Sequence, residues 1–225
     1  MTRTNWAAIT AVVLALLFAG AATVASAGRD DSPGAAATPT ADSAEAGFAR
    51  DMAVHHQQAV EMSFLVRDST DDEEVRRLAY DIANTQANQR GMLLGWLDMW
   101  RLPKVATGQE PMAWMAQDGA HADMDGMEGM DHGAHEVRDG SLMPGMATKT
   151  ELDALRAAKG EKAEILYLQL MTDHHKGGVT MAQGCAELCE VDAEQALAKG
   201  MVTAQQSELD LMADLLKARG AKPRA

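Results

Sequence analysis

Residues 52–62 read Met52-Ala53-Val54-His55-His56-Gln57-Gln58-Ala59-Val60-Glu61-Met62, and residues 171–181 read Met171-Thr172-Asp173-His174-His175-Lys176-Gly177-Gly178-Val179-Thr180-Met181. Both reduce to Met-x-x-His-His-x-x-x-Val-x-Met. The offset between them, 174 minus 55, is 119 residues, and it superposes more than the motif. Glu45 falls on Glu164, Phe48 on Tyr167, Leu78 on Leu197, Ala79 on Ala198 and Gln86 on Gln205. One offset serves two successive helical stretches, so the connection between them keeps its length. That implies a duplicated helical hairpin. Two hairpins, each apolar on one face, bury that face best as an all-α four-helix bundle with one long crossover.

The prolines agree with this division. All six (Pro33, Pro39, Pro103, Pro111, Pro144 and Pro223) fall outside the periodic stretches. Hairpin 1 is expected over 45–101 and hairpin 2 over 148–221, with a flexible Gly/Ala/Ser/Pro-rich linker at 28–44 and a long loop at 102–147. In hairpin 1, a helix from Glu45 to Arg67 precedes one that a capping box at Thr70-Asp71-Asp72-Glu73 opens and that runs to Arg101. In hairpin 2, Thr148-Lys149-Thr150-Glu151 is a second capping box, opening a short helix that Gly160 interrupts. Helices from Glu161 to Leu188 and from Ala193 to Arg219 follow. Apolar positions Leu78, Ile82, Thr85, Met92, Trp96 and Met99, and Leu197, Met201, Ala204, Leu211 and Leu215, are the expected inward stripes of the second helices.

Composition narrows the class. Ala, Leu, Met, Gln and Glu outweigh β-branched residues, which favours helix. Sixteen methionines stand beside four Trp, three Phe and two Tyr. Lys plus Arg number 20 against 33 Asp plus Glu, for a net charge of −13. Without a basic stripe to neutralise phosphates, nucleic acid is excluded as a partner. Residues 1–27 read as an export signal, with Arg3, an apolar run from Ala7 to Ala25, and Ala25-Ser26-Ala27 as the cleavage site. A secreted, periplasmic or cell-surface location follows, and the rival reading of that run is an uncleaved N-terminal membrane anchor. Cys185 and Cys189 are the only cysteines. Such a compartment permits a disulfide, but four residues apart on a helix is an awkward geometry for one.

The repeated motif carries the chemistry. At about 100° per residue, the first His lies about −60° and the last Met about −80° from the first Met, so the three share one stripe. In the second copy Cys185 and Cys189 continue it, while His56 and His175 sit at its edge. Methionine at helical spacing is ordinary core filler. Four imidazoles are not, because buried they need partners. A metal between facing helices supplies one. The candidate ligands are His55, His56, Met52 and Met62, then His174, His175, Met171 and Met181, with a Cys185 thiolate added in the second copy.

The stretch from Phe48 to Met62, its second copy from Tyr167 to Met181, the Gln86 and Gln205 helices, and Met143-Pro144-Gly145-Met146-Ala147-Thr148 together resemble the bacterial family known as domain of unknown function 305. The resemblance spans about 45–219 and implies a ferritin-like duplicated bundle, exported, in a family with some copper-binding periplasmic members. Di-iron chemistry, which a ferritin-like fold raises, needs Glu-x-x-His on helices. The residues three before the four histidines are Met52, Ala53, Met171 and Thr172. Soft sulfur stands where hard carboxylate is required.

The long loop points the same way, reading His121-x-x-Met124-x-x-Met127-x-x-Met130-x-His132-x-x-His135, flanked by Met112, Met115, Met143 and Met146. Seven methionines in a Gly/Asp-rich loop are not expected to build a core. Thioethers suit Cu(I), and imidazole suits both copper states. The loop is therefore expected to collect metal, the other readings being an inert linker or a Met-rich partner surface. The expectation is a copper-binding protein for buffering, tolerance or delivery. Cu(I) is favoured, with Cu(II) and zinc as the other ions considered. An envelope copper transporter or other membrane protein is the exchange partner considered, and a homo-oligomer is left open. No nucleophile elbow, His-Glu-x-x-His, phosphate loop or dinucleotide fingerprint occurs, so an enzyme is not expected. The alternative is a metal-free helical interaction module of the cell envelope, with structural His and Met.

Overall fold

The computed structural model describes residues 38–116 and 138–224. The export signal expected at 1–27, most of the linker, and the loop residues His121, Met124, Met127, Met130, His132 and His135 lie outside the described residues. The described chain is all-helical: α1 (Ala44–Arg67), α2 (Glu73–Trp100), α3 (Lys149–Ala157), α4 (Glu161–Leu188) and α5 (Asp192–Ala218), with a 3-10 turn at Ala113–Ala116. Among the described residues the only β pairing is an isolated bridge between Arg138 and Ser141. None of these helices is long and apolar enough to cross a membrane.

The helix starts follow from short polar side chains. Ser43 caps α1 by accepting from the Ala46 N–H. Thr148 and Glu151 form the expected capping box at α3. At α2 the cap is Asp72, not Thr70: Asp72 Oδ1 accepts from Glu74 and Val75 N–H at 3.1 and 2.9 Å. The Thr70 hydroxyl is occupied elsewhere, bonded to the Glu164 carboxylate and accepting from Asp72 N–H. Gly160, at φ +56°, turns the chain between α3 and α4, and its N–H donates to the Ser69 carbonyl at 2.7 Å.

The two hairpins, α1–α2 and α4–α5, meet along α1 and α4. Two apolar clusters fill the bundle. One gathers Phe48, Met52, Leu93, Leu97, Met181 and Met201. The other gathers Met62, Val75, Ile82, Tyr167, Met171 and Met212. The inward stripe of α2 runs through Val75, Leu78, Ile82, Gln86, Leu93 and Leu97. The expected stripe through Thr85, Met92 and Met99 is therefore corrected: Met92 is 42% and Met99 75% exposed. A strict seven-residue repeat drifts around a 3.6-residue helix, and α2 packs chiefly against α1, so one continuous 3.6-residue face is buried. In α5, likewise, Leu211 is exposed while Met201 and Leu215 are buried.

The crossover is fastened at both described ends. Asp51 on α1 accepts from Met112 N–H and Trp114 Nε1 at 2.7 and 3.0 Å. At the far end Pro144-Gly145 lies directly on α4. A Cβ at Gly177 would collide with the Pro144 carbonyl, and one at Gly145 (φ +78°) with the Asp173 carbonyl. The Gln58 amide clamps Ala147 through both its N–H and its carbonyl, at 2.7 and 2.9 Å.

Candidate metal centre

Adjacent residues on a helix point about 100° apart, so each His pair must address two neighbours at once. The arrangement of α1 and α4 provides them. His55 and His174 face one another across the α1–α4 contact, ring centroids 3.7 Å apart. The second of each pair turns to its own hairpin partner. His175 Nε2 lies 2.6 Å from Glu208 Oε2 on α5, and His56 faces Gln89 on α2 without completing a hydrogen bond. All four imidazoles are fully buried. They occupy the level between the two apolar clusters, together with buried Gln86 and Gln205.

This layer is short of partners. Nδ1 and Nε2 of His55 and His56, Nδ1 of His174 and His175, both amide atoms of Gln86, and Oε1 of Gln205 are buried without a hydrogen bond. Such groups carry a desolvation cost and call for an explanation in each case. The bond that His174 makes settles its tautomer. His174 Nε2 is 3.0 Å from the His55 carbonyl, which can only accept, so Nε2 carries the proton and Nδ1 keeps a bare lone pair. His175 Nε2 is held by the Glu208 carboxyl group, which leaves its Nδ1 without a partner.

Burial, then the neighbouring imidazoles, holds His55 and His174 well below the ordinary histidine range. Burial brings His56 down to about 3, against the nearby Gln89 amide. These three rings are neutral at pH 7, the form in which imidazole binds metal.

The thioethers flank the layer on both sides. Met52 and Met181 belong to one apolar cluster and Met62 and Met171 to the other, all fully buried. The four imidazoles do not converge on one point, however. Among the described residues, the only three His, Cys, Asp or Glu ligand atoms that come within 4.8 Å of one another are on Cys185, Cys189 and Glu194.

Two expectations are corrected here. Cys185 is disulfide-bonded to Cys189, with Cα atoms 4.9 Å apart, so in this form it adds no thiolate to the second copy. The pairing works because α4 ends at Leu188 and Cys189 is extended (φ −73°, ψ 135°), which frees it from helical geometry. Four of the seven loop methionines also prove to be packing residues. Met143 and Met146 are buried, and Met112 and Met115 pack against the same cluster. Pinning of the crossover at Asp51, Gly177 and Gln58 brings them there.

Glu208 and Gln89 were not recognised as site residues from the sequence, yet the offset of 119 places Gln89 on Glu208. The signal was a repeated position with a polar side chain one turn beyond the Gln86/Gln205 match.

Comparison with known proteins gives a consistent picture. A DUF305 protein from Streptomyces coelicolor is 57% identical, covering 83% of this chain and 99% of its own, with a TM-score of 0.70. A DUF305 fragment from Deinococcus radiodurans is 24% identical over 78% and 96%, with a TM-score of 0.58. CopM in its Cu(I)-bound form is 20% identical over 76% and 94%, with a TM-score of 0.52. None of the curated proteins compared matches the chain. The model of the family described as "Domain of unknown function (DUF305)" matches residues 45–216, and with that match over most of its length the chain belongs to the DUF305 family.

Proposed function

We propose that this chain is an extracytoplasmic copper-binding protein that buffers or delivers the ion rather than transforming a substrate. The observation that carries the reading is the mid-bundle layer of buried imidazoles with bare ring nitrogens, set between four buried thioethers. Neutral nitrogen and neutral sulfur together favour a soft, low-charge ion such as Cu(I) over Zn²⁺. His55, His174 and His175 supply the nitrogens, with Met52, Met181, Met62 and Met171 as the thioethers within reach of that layer, and His121, Met124, Met127, Met130, His132 and His135 form a lower-affinity collector. The fold is shared with CopM, a protein described in Cu(I)-, Cu(II)- and Ag-bound forms. Export is supported by the sequence of residues 1–27 and by the Streptomyces relative, whose name marks it as a candidate secreted protein.

The test is anaerobic titration of Cu(I) against a chromophoric chelator. Wild type is expected to draw copper from the chelator and a His55→Ala/His174→Ala variant to lose most of that capacity. Failure of wild type to compete ends the copper reading.

One observation favours a second reading. The close His55–His174 ring contact and the His175–Glu208 bond are contacts a purely structural histidine cluster would also make. A metal-free envelope interaction module predicts a melting temperature indifferent to copper, whereas a bound ion raises it.

A further inference from the structure

The connection between α4 and α5 gathers two sulfurs and a carboxyl group that the histidine layer does not use. One ligand atom each from Cys185, Cys189 and Glu194 lies within 4.8 Å of the others, and all three residues are buried. Glu194 has no exposed surface, and neither of its carboxyl oxygens has a hydrogen-bond partner. Burial, then the Glu45 carboxyl beside it, pushes its pKa up to about 9, so it is held as the neutral acid. A buried carboxyl with both oxygens orphaned beside a disulfide is costly, and the fold makes no visible use of it.

The corresponding corner at the other end of the bundle shows what is different. Going back 119 residues exchanges Cys185 for Val66, Cys189 for Thr70 and Glu194 for Val75. There Glu164, the counterpart of Glu45, is bonded by the Thr70 hydroxyl and by Arg219 at 2.7 Å. The counterpart of Arg219 is Trp100. The Glu45 corner thus has one more carboxyl and lacks the cation. Glu45 Oε1 accepts only the Glu190 N–H, at 2.6 Å, and no ion pair among the described residues reaches Glu45 or Glu194.

We propose that reduction of the Cys185–Cys189 disulfide converts this corner into a second, redox-gated site for a thiophilic cation, held by two thiolates and the Glu194 carboxylate. The reductant is a dithiol: it gives two electrons and two protons to the disulfide, leaving two cysteine thiols and its own disulfide. Binding of a divalent ion then releases both thiol protons and the Glu194 proton to solvent, leaving three anionic ligands on the cation. Two thiolates with one carboxylate suit Zn²⁺-like soft and borderline ions, unlike the neutral thioethers and imidazoles of the histidine layer. In the oxidised form both sulfurs are bonded to each other and the site is closed. Cys189 lies in the three-residue connection 189–191, beside exposed Glu190, and is the sulfur nearer the chain surface through which the reductant enters.

The test uses Cd(II) as probe. The protein is reduced anaerobically with a phosphine, two free thiols per chain are verified, excess reductant is removed, and Cd(II) is titrated while thiolate-to-cadmium charge-transfer absorption is followed. Thioethers and imidazoles give no such band, so the outcome is independent of the copper reading. Reduced wild type is expected to bind one equivalent, oxidised wild type to show no band, and reduced Glu194→Gln to bind about tenfold or more weakly. Calorimetry in two buffers is expected to count three protons released per cation, a readout that needs no variant. Absence of the band in reduced wild type overturns the site. Wild-type affinity in Glu194→Gln, or release of only two protons, removes Glu194 from it and overturns the proposal as stated.

Discussion

His175 Nε2 lies 2.6 Å from Glu208 Oε2, whereas the equivalent pair in the first hairpin, His56 and Gln89, is neutral and unbonded. The two halves of the histidine layer are therefore not electrostatically equal. A carboxylate behind an imidazole fixes its tautomer and raises its basicity as a ligand.

Glu208→Gln should accordingly weaken Cu(I) binding by about 10-fold or more while leaving the fold intact. Chelator competition measures the affinity, and circular dichroism the fold. Unchanged affinity would show that Glu208 plays no part in holding the ion.

Acid should destabilise the metal-free protein. His55, His56 and His174 are neutral when folded, with pKa values held below the 6.5 of the unfolded chain. Between those limits the unfolded state binds more protons, so stability falls as pH falls. The contribution is complete above pH 6.5 and is lost below it, at about 1.4 kcal/mol per pH unit for each ring. Urea unfolding at pH 7, 6 and 5 reads this slope, and a flat profile in the Glu194→Gln background would contradict neutral burial.

Glu194 acts with the opposite sign. Its folded pKa of about 9 lies above the unfolded 4.5, so its favourable contribution is present below 4.5 and is lost as pH rises toward 9. Glu194→Gln, which needs no proton to stay neutral, should be more stable than wild type at pH 7 by up to about 3 kcal/mol, the gain vanishing near pH 4.5. Melting curves of both proteins across that range check it. A variant that is less stable at pH 7 would mean the carboxylate is compensated.

Gly177→Ala should cost about 1–3 kcal/mol, because the new methyl meets the Pro144 carbonyl and must push the 143–147 segment off α4. Met143 and Met146 would lose their seats. Thermal melting gives the cost, and faster proteolytic cleavage near Pro144 would locate it. Alanine tolerated without loss would mean the crossover is not held there.

Much of the fold was legible in one dimension. Two helical hairpins stand where the sequence placed them, the Thr148–Glu151 box marked a true helix start, and the helix expected from Glu161 to Leu188 has those bounds. Local signals misled where two side chains competed for one role. Thr70 looked like a cap, but its hydroxyl is bonded to Glu164, 94 residues away, and Asp72 took the position. The stripe of α2 departs from the heptad because a strict seven-residue repeat drifts around a 3.6-residue helix, so Leu93 and Leu97 face inward in place of Met92 and Met99.

Which residues could bind a soft ion was set by the sequence alone, because residue type and helical spacing decide donor chemistry and shared faces without reference to the rest of the chain. Which donors remain bare was decided only by tertiary structure. His55 meets His174 across 119 residues, Glu208 claims one nitrogen of His175, and the Pro144 crossover draws Met143 and Met146 into the core. These depend on how the hairpins dock. The seat of the crossover also depends on close approaches such as Gly177 beneath Pro144, which no local pattern encodes.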